Sequence, residues 1–225
     1  MEFMVLIPAR SGSKGLSNKN ILPIDSDNLI EKAYKFASEI FSKNNIFITT
    51  DYDFEIFSSI LDRTRYQKRS NQLAGDSASI IDVCIDSYKY FSSTLKKDFT
   101  DLILLQPTSP IRKPIELKTA LEFYKKNNLN SLASVSPSIQ HPYELINGKG
   151  QKWAPLVNWE GHKNRQELKN NYHFINGCFY FVNLKYLLLN KKIVDKNTFM
   201  FSMEKKYIID IDDNEDFEIL KKLNS

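Results

Sequence analysis

The chain has 225 residues, 42% hydrophobic and 26% charged, with 31 basic against 27 acidic side chains and a net charge of +4. That length suits one sizeable α/β domain, and the composition excludes a disordered chain. The charge excess is too small and too scattered to argue for a nucleic-acid partner on its own, and no stretch nears the roughly 20 apolar residues that span a bilayer.

The first apolar run, Met4 to Pro8, begins almost at residue 1 without the basic region and cleavage site of a secretory leader. It reads as a buried strand, as do Ile46 to Thr50, Leu102 to Pro107 and Leu132 to Ser136. Between them lie Leu29 to Phe41, Phe54 to Arg63, Ala78 to Phe91 and Ile115 to Asn127, where apolar residues recur at helical spacing. Strand and helix in regular alternation predict an open, mostly parallel sheet with helices on both faces. Cys84 and Cys178 sit in apolar segments and read as buried thiols, which fits a reducing cytoplasm. The rhythm breaks between His141 and Tyr172, a segment holding both tryptophans and too long for an ordinary connection. Order returns with strands expected at Asn176 to Val182 and Tyr207 to Asp212, then a closing helix from Asn214 to Leu223 capped by Asp213 or Asn214.

In a sheet of this kind ligands sit beyond the carboxyl ends of the strands, and four clusters fall there. The first is IPARSGSKGLSNKN, Ile7 to Asn20, in which a glycine-containing loop with Arg10, Lys14 and Lys19 suits an anion such as phosphate. Gly12 and Gly15 are too close for a Walker A loop, and the G-x-G-x-x-G pattern is absent. A basic surface loop is the plainer alternative. The second is QPTSPIR, Gln106 to Arg112, where Gln106 offers both donor and acceptor, unless the stretch is only a stiff turn. In the third, Asp210 and Asp212 are two residues apart; on a strand both carboxylates face one side and can meet a hard cation, or simply end an acidic strand. The fourth, RQELKNNYHFINGCFYF, carries Arg165, fit to clamp a carboxylate, with Asn176 and Tyr180 on one strand face; Tyr180 also suits the core. His162 and His173 lack metal-ligand spacing, and no nucleophile-base arrangement suggests a covalent intermediate.

Taken in order, ARSGSKGLSNKN, KRSNQLAGDSAS, LLQPTSPIR, His141-Pro142, RQEL, NGCFYF and IDID resemble the N-acylneuraminate cytidylyltransferases, including relatives acting on legionaminic-type sugars. The resemblance runs along essentially the whole chain. It implies a Rossmann-like nucleotidyltransferase fold, a single domain over 1–225 with 141–172 as a dimerisation and sugar-site excursion, and a cytoplasmic homodimer. The reaction implied joins CTP to a nine-carbon 2-keto sugar acid and releases pyrophosphate, with Mg²⁺ (or Mn²⁺) as cofactor and neither nucleic acid nor membrane as partner. By the same resemblance Ala9, Arg10, Lys14, Asn20, Arg69 and Gln106 hold the nucleotide. A serine of the family falls here at Ile80, leaving Ser79 to replace its contact. Gln106, Arg165, Asn176 and Tyr180 match sugar-site positions, and Asp210 with Asp212 the metal carboxylates. Arg10, Lys14, Lys19 and Asp212 are the residues expected to carry the chemistry, and Trp153 and Trp159 to anchor the subunit interface. The competing readings are a keto-deoxy-octulosonate cytidylyltransferase, a glycosyltransferase, whose acidic motif would belong in mid-chain, and a non-catalytic nucleotide-sugar sensor.

Overall fold

A computed structural model describes residues 1–12, 15–138, 140–149, 152–157, 172–204 and 209–224. In chain order the elements are β1 (Phe3–Pro8), α1 (Leu29–Ser38), β2 (Ile46–Thr50), β3 (Tyr66–Lys68), α2 (Asn71–Ala74), α3 (Ile80–Leu95), β4 (Asp101–Leu104) and α4 (Pro114–Lys126). They continue with β5 (Ser131–Pro137), β6 (Ile146–Lys149), β7 (Lys152–Pro155), β8 (His173–Asn183), α5 (Leu184–Asn190), β9 (Phe199–Ser202) and α6 (Asn214–Asn224).

Seven strands form one sheet in the order β3-β2-β1-β4-β8-β5-β9, parallel except for β8, which runs antiparallel to both β4 and β5. The mostly parallel sheet expected from the sequence is thus present. Both faces of it are covered, which explains why its strands read as unbroken apolar runs. Along β1, Phe3, Val5 and Ile7 enter one core with α1 and α4, while Met4 and Leu6 enter another with α3 and α5. A third, smaller cluster joins Ile24, Leu29 and Ile211 to Phe217 and Leu220 of α6. The ends of α1 are set locally: Asn28 and Glu31 exchange side-chain to backbone bonds at 2.9 and 2.8 Å, a capping box.

Three expectations are corrected. Phe54 to Arg63 is not a helix; only a 3₁₀ turn at Phe54–Phe57 forms. Its buried residues Phe57 and Leu61 reach the core from successive tight turns, and the Ser58 hydroxyl donates to the Glu55 carbonyl at 2.9 Å, competing with helical bonding. Ile209 to Asp212 is not a strand. Its groups are taken from elsewhere: the Ile211 amide donates to the Thr108 carbonyl at 2.8 Å, and the Ile211 carbonyl accepts from the Lys19 ammonium. The irregular segment after His141 contains a two-stranded hairpin, β6 paired with β7, with Trp153 on β7. Trp159 lies outside the described residues.

Strand β8 carries the irregularity that shapes the site. Four of its residues, Asn176 to Phe179, lie opposite the single Ser134 of β5. Asn176 fills the bulge: its carbonyl oxygen accepts from the Ser134 hydroxyl at 2.6 Å and the Cys178 amide at 3.1 Å, and its NH₂ donates to Ser136 at 2.8 Å. Next to it Gly177 has φ +73°, and a Cβ there would stand 2.6 Å from Ser109 Oγ and 2.9 Å from Gln106 Oε1. Backbone and space both require glycine. Gly177→Ala is expected to lower stability by about 1–3 kcal/mol, measured as a shift in the urea midpoint; an unchanged midpoint would show that the bulge yields freely.

Candidate active site

The topology places β2 and β4 on opposite sides of β1, so the chain leaves the first strand in one direction and returns in the other. A crevice opens at such a point, beyond the carboxyl ends of the strands. A cavity of about 640 Å³ occupies it. Ala9 and Arg10 from the end of β1, Arg69 from the end of β3, and Gln106 to Thr108 from the end of β4 form its walls, with Ala78 and Ile80 at the start of α3. Gly15, Lys19 and Asn20 close one side, and Asp212 and Asp213 face them.

Lys19 is 6% exposed, far below the usual lysine, and a buried ammonium needs partners. It donates to Asp212 Oδ1 at 2.9 Å and to the Ile211 carbonyl. A Cβ on Gly15 would overlap the Asp212 carbonyl oxygen and stand 3.1 Å from its carbon, so the loop after β1 lies directly on the Asp212 backbone. Glycine at 15 is therefore a matter of close approach, not of turn geometry.

The other basic groups are held to different degrees. Arg69 is 6% exposed and donates through Nη2 to the Thr49 carbonyl at 2.9 Å. Burial draws its pKa down to about 10, opposed by the nearby Asp51 carboxylate, so it stays a cation at neutral pH. Its Nε has no hydrogen-bond partner among the described residues. Arg10 is more open and pairs with Asp76 at 2.7 Å across the cavity. Asp51, at the end of β2, accepts from the Ser11 amide at 2.8 Å and from the Ser11 hydroxyl. Asn20 donates to the Arg10 carbonyl at 3.0 Å, which leaves its buried carbonyl oxygen in the cavity wall without a partner among the described residues. An unpaired buried acceptor beside a row of cations suits a ligand carrying both donor hydrogens and negative charge.

The expected residues do not all converge. Ala9, Arg10, Lys19, Asn20, Arg69, Gln106 and Asp212 line the cavity. Lys14 and Arg165 lie outside the described residues. Ser79 is exposed and absent from the wall; its hydroxyl accepts from the Ile81 amide at 3.2 Å and caps α3, while Ala78 and Ile80 face the cavity. Asn176 spends its amide inside the β8 bulge and reaches the site only by shaping Gly177 against Gln106. Tyr180 is half-buried against the core, and burial, reinforced by Asp210, pushes its hydroxyl up to about 12. Asp210 is exposed and stands off the wall, with its charge felt by Tyr180, Cys178 and Arg112.

Asp210 and Asp212 offer exposed, hard oxygen donors on either side of the buried Ile211. Among the described residues no third His, Cys, Asp or Glu completes a cluster with them. Carboxylate oxygen of this kind suits Mg²⁺, which takes one or two carboxylates and fills its remaining positions with water and phosphate oxygen; of the two, Asp212 lines the cavity and Asp210 does not. Sequence reasoning passed over Asp51, Asp76 and Gly177, and gave Asp213 only a helix-capping role. Asp51 had a usable signal, a carboxylate ending an apolar strand; Asp76 lies in the quoted KRSNQLAGDSAS but drew no role.

Comparison with known proteins places the chain in a family. A family described as cytidylyltransferase matches residues 4–223. An N-acylneuraminate cytidylyltransferase of Streptococcus agalactiae is 31% identical over 223 residues, 96% of this chain; the chain spans about half, 52%, of that relative's length. A CMP-N,N'-diacetyllegionaminic acid synthase of Campylobacter jejuni is 31% identical over 100% of this chain and 95% of its own. In fold the chain is similar to a CMP:2-keto-3-deoxy-manno-octonic acid synthetase complexed with CTP, at TM-score 0.70 and 14% identity, covering 100% of this chain and 98% of that one. Family match, relatives and cavity agree: the chain belongs to the cytidylyltransferase family.

Proposed function

We propose that the protein activates a nine-carbon 2-keto sugar acid of sialic or legionaminic type with CTP, giving the CMP-sugar and pyrophosphate. The observation that carries this reading is the cavity in which Arg10, Lys19 and Arg69 converge opposite Asp212. The 31% identity to relatives named for N-acylneuraminate and diacetyllegionaminate supports this class of sugar acid over octulosonate, whose synthetase is similar at 14%.

The reaction is an in-line displacement: the sugar's anomeric hydroxyl attacks the α-phosphorus and pyrophosphate leaves. It needs positioning and charge neutralisation rather than a protein nucleophile. Arg10 and Lys19, with Lys14, neutralise the triphosphate; Arg10 then exchanges Asp76 for phosphate oxygen. Asn20, Arg69 and the backbone at Ala9 hold the nucleoside. Gln106, fixed beside Gly177, faces the sugar acid, whose carboxylate is assigned to Arg165, and Asn176 and Tyr180 shape that side. Asp212, with Asp210, would hold Mg²⁺ or Mn²⁺, which when bound would supply charge neutralisation at the phosphates and polarisation of the attacking hydroxyl. The excursion over 141–172 is assigned to a homodimer contact; its hairpin exposes Ile146 and Leu156. No helix among the described residues is long and apolar enough to cross a membrane, and the two buried cysteines, Cys84 and Cys178, fit a cytoplasmic setting.

The direct test is pyrophosphate release from CTP and Mg²⁺ with N-acetylneuraminic, diacetyllegionaminic and keto-deoxy-octulosonic acids. Release with a nine-carbon acid is expected; binding of CTP without release with any of them would favour a sensor. Asp212→Asn is expected to lower turnover about 100-fold or more while changing the KM for CTP far less. Unchanged turnover at saturating Mg²⁺ would remove the metal assignment. Gly15→Ala must push the loop off the Asp212 backbone, and a displacement of that kind costs on the order of 100-fold in turnover. Steady-state kinetics of that variant, with its circular dichroism unchanged, checks the contact; wild-type turnover would refute it.

A further inference from the structure

We infer that Asp216, in the first turn of α6, is a positioning residue that sets where the Asp212 carboxylate stands in the cavity. The inference rests on the reading of Asp212 given above. Asp216 Oδ2 accepts from two consecutive backbone amides, Asp212 at 2.9 Å and Asp213 at 3.3 Å. In return Asp213 Oδ1 accepts from the Glu215 amide at 2.9 Å and the Asp216 amide at 3.0 Å.

Half of this is ordinary helix capping. Asp213 is the N-cap of α6, and an acidic residue three positions on commonly reaches back to the N-cap amide. A side chain that served the helix alone would have its best bond there. Here the shorter bond goes one residue further out, to the amide of Asp212, which lies outside the helix. The peptide of Asp212 is thereby fixed on three sides. Asp216 takes its N–H, Gly15 packs on its carbonyl, and Lys19 binds both the preceding carbonyl and the Asp212 carboxylate.

The helix that carries Asp216 is itself anchored. Phe217 and Leu220 are buried against Ile24, Leu29 and Ile211, with Leu16 and Leu22 packed alongside. Leu16 to Leu29 is the chain that follows Gly15 and includes Lys19. One small apolar cluster therefore locks α6 to the basic loop, and Asp216 transmits that lock to Asp212. An exposed aspartate on an irregular segment would otherwise sample many orientations. Partners that orient a reacting or metal-binding carboxylate typically matter about 10- to 100-fold.

The test combines kinetics with amide hydrogen exchange. Asp216→Ala is expected to lower turnover by about 10- to 100-fold with the KM for CTP within about threefold. Asp216→Asn keeps an acceptor oxygen and is expected to restore most of the loss. With Asp212→Asn already in place, Asp216→Ala should cost little more, because the two residues act as a unit. The Asp212 amide should exchange at least about tenfold slower than a random-coil amide in the wild-type chain and lose that protection in Asp216→Ala, while Leu220 stays protected. Wild-type turnover in Asp216→Ala overturns the inference, as do multiplicative losses in the double variant. If Asp216→Ala does not fold, an unprotected Asp212 amide in the wild-type chain overturns it equally. If the wild-type chain releases no pyrophosphate with any sugar acid, the proposed reaction fails, and the exchange measurement still decides the geometry.

Discussion

The arrangement depends on one buried ammonium. Lys19 is removed from water, and an unpaired charge in that position would cost several kcal/mol. Its partners, the Ile211 carbonyl and the Asp212 carboxylate, lie some 190 positions along the chain. The need to satisfy one lysine thus ties the loop after the first strand to the segment before the last helix. With Gly15 pressed on the same peptide, the two segments form one wall of the cavity. The sheet supplies the floor, and this tie supplies the side.

The charges of the cavity are paired before any ligand is present. Arg10 faces Asp76 and Lys19 faces Asp212, so each of these cations rests against a carboxylate across the opening. Such pairs hold long side chains near the geometry a phosphate requires while keeping a crowded row of cations from repelling itself. The exposed pair, Arg10 with Asp76, is worth little in stability and is readily exchanged. Arg69 is different: its guanidinium is buried and tied to the Thr49 carbonyl, so it acts as a fixed wall.

Much of the fold was legible because both sheet faces are covered. A strand buried on two sides reads as a continuous apolar run, and Met4 to Pro8, Ile46 to Thr50 and Leu102 to Leu104 all do so. What escaped were elements whose existence depends on distant partners. Strands β3 and β9 are short and carry no pattern of their own, and the Phe54 segment satisfies its apolar residues through turns. The strand expected at Tyr207 to Asp212 was read from alternating residues, yet Ile209 to Asp212 gives its backbone to Thr108, Lys19 and Asp216. In the site, the basic loop and Gln106 were legible because charge and strand ends declare themselves, whereas Arg69 came only through the family resemblance. Asn176 was misread for the opposite reason: an amide between a strand and a glycine looks available, and only the bulge reveals that it is consumed.

The reversed strand has a consequence for how the molecule assembles. Strands β4 and β5 never touch; β8 lies between them and arrives some 70 residues after β4. Until it inserts, both neighbours present bare edges, and Leu102 to Leu104 and Leu132 to Val135 lack half their ladder. The pairing of β1 with β4, Phe3 opposite Asp101, is non-local as well, so both sides of β4 rest on contacts far apart along the chain. Such non-local pairing is slow and leaves sheet edges open to foreign strands. The bulge that shapes Gln106 thus sits on the strand whose insertion closes both of these edges.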